Sequence, residues 1–109
     1  MFYILSDLYQ DVNGKYVSPG EYELSHAKAY TTLTLARKTA LNSPTFSRYR
    51  QYIYEGDRKS AKIVGCVYGE LKGEDIYHYS TAKVWKDLKG KMWYLNKDGT
   101  LGRRYYKRG

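Results

Sequence analysis

The sequence predicts an α+β fold, a small antiparallel sheet with one main helix packed on one face. Three observations predict it. Thr31–Asn42, TTLTLARKTALN, carries a sustained helical period, with Ala29, Leu33, Ala36 and Ala40 at steps of 4, 3 and 4. Most of the remainder alternates in the strand sense or breaks at Asn-Gly, Pro-Gly and Asp-Gly turns. The chain of 109 residues has 14 tyrosines against 2 tryptophans and 2 phenylalanines, with few Leu, Ile and Val. A tyrosine's flat apolar body and polar tip suit half-buried sheet faces, so a thin two-layer domain is expected over 1–109, with a basic tail at 103–109.

In chain order, Phe2–Tyr9 reads as a first strand with Phe2, Ile4 and Leu8 on one face and Tyr3, Leu5 and Tyr9 on the other. Apolar residues on both faces predict an interior place in the sheet. Asn13-Gly14 is a two-residue hairpin signal, Lys15–Ser18 a short returning strand, and Pro19-Gly20 a turn from which Glu21–Leu24 leads to the helix. Thr31 is the candidate N-cap, and Asn42-Ser43-Pro44 the stop, since proline disfavours helical dihedrals in the residue before it. Leu35 falls off the apolar stripe, an ordinary exposed leucine or a contact to something else.

Arg48–Tyr54, RYRQYIY, the turn Glu55-Gly56-Asp57-Arg58 and Ser60–Tyr68 form a predicted hairpin. Its first strand sets Arg48, Arg50, Tyr52 and Tyr54 on one face, a row expected to meet water. Its second strand, with Ala61, Ile63 and Val67 on one face and Val64, Cys66 and Tyr68 on the other, is expected to be central. Gly69–Asp75 is a polar connection. Ser80–Lys89 reads two ways: a second short helix capped by Ser80 and stopped by Gly90, or a strand through Thr81–Trp85. Met92–Leu95 is a strand, Asn96–Gly99 a turn, and the return begins at Thr100. In RRYYKRG both strand faces are basic, which predicts a surface segment, frayed or attached to something.

Charge rises along the chain, from −3 over residues 1–25 to +4 over 26–82 and +7 from Lys83 onward, within a formal total of +8. That gradient suits a partner of negative charge: nucleic acid, an acidic protein face or an anionic lipid surface. Cys66 is the single cysteine, which excludes an intramolecular disulfide. With no basic leader and no long apolar run at MFYILSDLY, the expectation is a protein of the bacterial cytoplasm that does not enter the membrane.

The chemistry-bearing residues imply no metal or cofactor. His26, Cys66 and His78 lack the spacing of a zinc site, no Ser-His-Asp set is suggested, and no phosphate-cradling glycine loop is present. Metal-independent RNA cleavage by Arg, Lys and Tyr is a third-ranked reading, because the chain resembles the small basic RelE-type toxin ribonucleases in size and charge. Gly90–Gly102, GKMWYLNKDGTLG, resembles one choline-binding repeat, but ligand sites in that family lie between successive copies and only one copy is present. Cross-strand aromatic packing in an ordinary hairpin accounts for these residues.

AYTTLTLARKTA followed by RYRQYIYEGD, within residues 27–57, resembles the helix and the Tyr-Glu-Gly strand of small accessory proteins from Gram-positive phages and mobile elements. Several of these are anti-defence inhibitors, including anti-CRISPR proteins that bind an effector nuclease. The resemblance implies a non-catalytic protein that occupies a host protein or ribonucleoprotein complex. The residues that would make the contact are basic and tyrosine-rich: Arg48, Arg50, Tyr52, Tyr54, Arg103, Arg104, Tyr105, Tyr106, Lys107 and Arg108. Arginine and tyrosine are enriched among the anchors of protein interfaces. The same mixture neutralises phosphates and stacks on bases, so a direct DNA- or RNA-binding regulator is the second reading.

Overall fold

Both faces of the first strand are apolar, and in the computed structural model both are covered. The structure describes residues 1–42, 50–71 and 79–105. Seven strands form one antiparallel sheet: β1 (Phe2–Leu5), β2 (Ala29–Tyr30), β3 (Gln51–Glu55), β4 (Lys62–Leu71), β5 (Tyr79–Asp87), β6 (Met92–Leu95) and β7 (Leu101–Tyr105). Their order across the sheet is β2-β1-β3-β4-β5-β6-β7, so β1 is interior and β4 central. The described residues also form two helices, α1 (Glu21–His26) and α2 (Leu33–Leu41). No helix among the described residues is long and apolar enough to cross a membrane.

α2 covers one face. Ala36 and Ala40 are fully buried against Ile53, Val67 and Trp85, with Phe2, Ile4, Leu33 and Trp93 around them. Small side chains at these two positions let the helix backbone approach the sheet. The cap is Thr32, one residue later than predicted, its hydroxyl accepting from the Leu35 amide at 3.1 Å. Ala29, read as the first member of the helical stripe, lies in β2 opposite Tyr3. Leu35 is exposed.

The opposite face of the same end has its own core of Tyr3, Leu24, Tyr54, Ala61 and Ile63. α1, which the sequence shows only as a lead-in, supplies Leu24 and begins after the buried Pro19 with Glu21 and Glu23 in its first turn. Acidic groups there complement the helix dipole. The Arg58 guanidinium donates to the carbonyls of Leu24 and Ala27 and lies 5.1 Å from the centre of the Tyr3 ring, so it closes α1 and roofs this core.

A bulge in β4 lets one strand serve both cores. Ile53 pairs with Gly65 but Tyr54 pairs with Ile63, leaving Val64 as the extra residue. Ile63 therefore faces the α1 side and Val67 the α2 side, where simple alternation placed them together. Gly65 stands where it does because a Cβ there would collide with the Trp85 ring.

Of Ser80–Lys89, the residues through Asp87 are strand, within β5, and Leu88 and Lys89 begin the turn; Trp85 registers between Val67 and Trp93. Arg103, Arg104 and Tyr105 belong to β7 and are not a frayed tail.

One turn is used three times. In Asp11–Lys15, Asp87–Lys91 and Asn96–Thr100 the first residue's amide donates to the fifth's carbonyl (2.9, 2.9 and 3.0 Å). The glycine's amide donates back to the first residue's carbonyl in each case (3.0, 3.1 and 3.0 Å). The glycines have φ of 80, 84 and 87°. This is a three-residue loop with a glycine bulge, in place of the two-residue turn expected at Asn13-Gly14. The returning strand Lys15–Ser18 shrinks to a single bridge between Gln10 and Tyr16.

The third copy is wedged beneath the helix. A Cβ on Gly99 would strike the Thr34 carbonyl oxygen and the Lys38 amide, whereas one on Gly14 would meet nothing within 4 Å. Gly14→Ala thus incurs only the left-handed backbone penalty, about 1 kcal/mol. Gly99→Ala adds steric displacement of α2 and is expected to cost about 3 kcal/mol in total. Denaturant midpoints of the two variants measure the difference.

Candidate partner-binding cleft

Alternation along β3 sends Gln51 and Ile53 to the α2 face and Tyr52 and Tyr54 to the other. On that second face Tyr52, Cys66 and Lys86 stand side by side on β3, β4 and β5. Arg50, immediately before β3, joins them in a cleft of about 110 Å³. Leu8 and Tyr16 close it from the amino-terminal loop, and Asp87 and Leu88 close it from the β5–β6 turn. Arg50 and Lys86 are exposed, Tyr52 half-buried and Cys66 buried in the floor.

The electrostatics of the cleft are cationic. Among the described residues its carboxylate is Asp87, held by the turn, where Oδ1 accepts from the amides of Lys89 and Lys91, both at 2.9 Å. Burial pushes the Cys66 thiol up to about 12, although Arg50 and Lys86 pull it the other way. At neutral pH the sulfur is therefore a protonated, apolar part of the floor and a poor nucleophile.

The predicted contact residues separate. Arg50 and Tyr52 line the cleft. Tyr54 is not at the surface: it is fully buried, its hydroxyl donating to the Asp7 carbonyl at 3.1 Å and accepting from the Tyr9 amide at 3.3 Å. It pins the loop after β1 onto the sheet, and its phenol is pushed up to about 12 by burial. Arg103 and Arg104 are exposed on opposite faces of β7, over the Tyr94 ring (5.1 Å) and the Trp93 ring (5.4 Å). Tyr105 is buried, edge-on to Tyr94 at 5.1 Å. Arg48, Tyr106, Lys107 and Arg108 lie outside the described residues.

β3 and β7 are four strand spacings apart in the sheet, roughly 19 Å. Arg50 and Tyr52 do not share a rim with Arg103 and Arg104. Sequence reasoning missed Lys86, Tyr16, Leu8 and Leu88, although the repeated Asp-x-x-Gly-Lys pattern at Asp11 and Asp87 marks the turns beside Tyr16 and Leu88.

His26 is exposed, its Nδ1 2.8 Å from the Tyr22 carbonyl, and among the described residues no group of three or more His, Cys, Asp or Glu side chains converges. The chain matches no protein-family model, no curated protein and no solved structure.

Two outcomes follow from the buried groups. Tyr54→Phe strands the Tyr9 amide and is expected to cost about 1–3 kcal/mol, measured by denaturant unfolding. Raised thiol and phenol pKa values mean that the folded state holds protons the unfolded state has released. The contribution to stability is therefore present below the unfolded thiol's pKa of about 8.5 and is lost as pH rises from there towards the folded values. Urea midpoints measured from neutral to strongly alkaline pH should decline over that window, and Cys66→Ala should flatten part of the decline.

Proposed function

We propose that this chain is a non-catalytic binding protein that occupies an anionic face of a nucleic-acid-processing complex in a bacterial host, as an anti-CRISPR-type inhibitor does. The observation that carries the reading is the cleft in which Arg50 and Lys86 stand with Tyr16 and Tyr52 over a floor closed by the protonated Cys66. Cations beside rigid aromatic rings are the chemistry of an interface anchor. A formal charge of +8 favours attraction to an acidic surface. The resemblance of residues 27–57 to phage accessory proteins points in the same direction.

The second reading, direct binding of DNA or RNA, is favoured by Arg103 and Arg104 emerging on the two faces of β7, each over an aromatic ring. Two cations on one strand suit a phosphate backbone as well as a protein.

Affinity capture with the tagged chain, before and after nuclease treatment, separates the two. Retention of a specific protein complex after nuclease, abolished by Arg50→Glu with Lys86→Glu, is the expected result. Loss of all partners on nuclease treatment, with affinity falling by orders of magnitude from low to moderate salt, would establish the second reading instead.

A further inference from the structure

We infer that the Arg50–Lys86 cleft receives one carboxylate side chain, presented by an acidic segment of a protein partner with apolar residues beside the acid. This rests on the binding reading above and names the chemistry of the contact.

Size argues first. At about 110 Å³ the cleft is well below the roughly 300–1,000 Å³ of sites that enclose a whole small molecule. It has room for one side chain. Charge argues second. Arg50 and Lys86 supply the cationic donors, and the nearby Asp87 carboxylate accepts from the amides of its own turn. An incoming carboxylate would gain charge-assisted hydrogen bonds, the stronger kind. The remaining wall argues third, and it separates protein from nucleic acid. Leu8, Leu88 and Tyr16 border the same cleft, and Leu88 and Tyr16 are 51 % and 47 % exposed. A phosphodiester strand gains little by covering leucine. Apolar side chains flanking an acidic residue gain about 25 cal/mol for each Å² they remove from water. Single-stranded nucleic acid is held by a groove of cations that tracks successive phosphates, and among the described residues the cations lining this cleft are Arg50 and Lys86.

The test is a nuclear magnetic resonance titration of the nitrogen-15-labelled full chain. Four probes are used: the capped tripeptide Leu-Glu-Leu, its Leu-Gln-Leu counterpart, inorganic phosphate and a short oligothymidylate. Leu-Glu-Leu should shift the amides of Tyr52, Cys66, Lys86 and Leu88 in a saturable way. Replacing Glu by Gln, or introducing Arg50→Ala or Lys86→Ala, should weaken that binding about tenfold or more. Both substitutions are at exposed positions, and an unchanged near-ultraviolet spectrum would show that the variants are folded.

Equal binding of the Gln peptide, no saturable shift with either peptide, or shifts away from the cleft would overturn the inference. So would phosphate or the oligonucleotide moving the same amides with equal or greater affinity. A silent cleft in a chain that still captures a nuclease-resistant protein complex would remove this inference and leave the proposed function standing.

Discussion

The contact between Gly99 and α2 is the constraint on which the arrangement of the sheet depends. A turn between two carboxy-terminal strands is lodged against the helix backbone at Thr34 and Lys38, where no side chain fits. Arg37 locks it: Nε donates to the Gly99 carbonyl at 2.9 Å across 62 residues of sequence, and its guanidinium lies 5.2 Å from the Trp85 ring centre. Burial pulls the guanidinium's pKa down, but from a value so high that it stays charged at neutral pH. Its aromatic and carbonyl partners offset the loss of water. One helix over β1, β3 and β4 is thereby fastened to β5 and the β6–β7 hairpin, so the hairpin has a single place to sit.

The sequence made the α+β class, the main helix, the interior β1 and the central β4 legible, because each rests on local periodicity or turn chemistry. Ala36 and Ala40 were recognisable as the buried stripe for that reason. Features set by distant partners were not. Nothing near Arg37 announces that a charged residue in a helix will be buried beside Trp85 and Gly99. The bulge at Val64 shows only in the pairing of β4 with β3, and strand alternation read along β4 alone cannot reveal it. α1 is short and contributes one fully buried residue, Leu24, too weak a periodic signal to read.

The candidate site was half legible for a related reason. Arg50 and Tyr52 were identified from a basic-aromatic alternation, and both line the cleft. The same alternation included Tyr54, whose partners are backbone groups of Asp7 and Tyr9 in a loop that the pattern does not mention. Lys86 became part of the cleft only through pairing of β4 with β5. The stretch 27–57 divides along the same line: Thr32 caps, Ala36 and Ala40 pack, and Tyr54 pins a loop. Those positions make the scaffold, while the cleft draws on residues from outside the stretch as well, and its walls define what it can hold.

The bulge in β4 also bears on how the chain avoids misthreading. Because Ile63 and Val67 serve opposite cores, a slip of β4 by one residue would drive Lys62 or Val64 into one layer and pull a needed aliphatic group out of the other. Both layers reject the error together. A sheet assembled from many similar tyrosine-bearing strands, which could otherwise tolerate several alignments, is thus proofread from above and below at its middle strand.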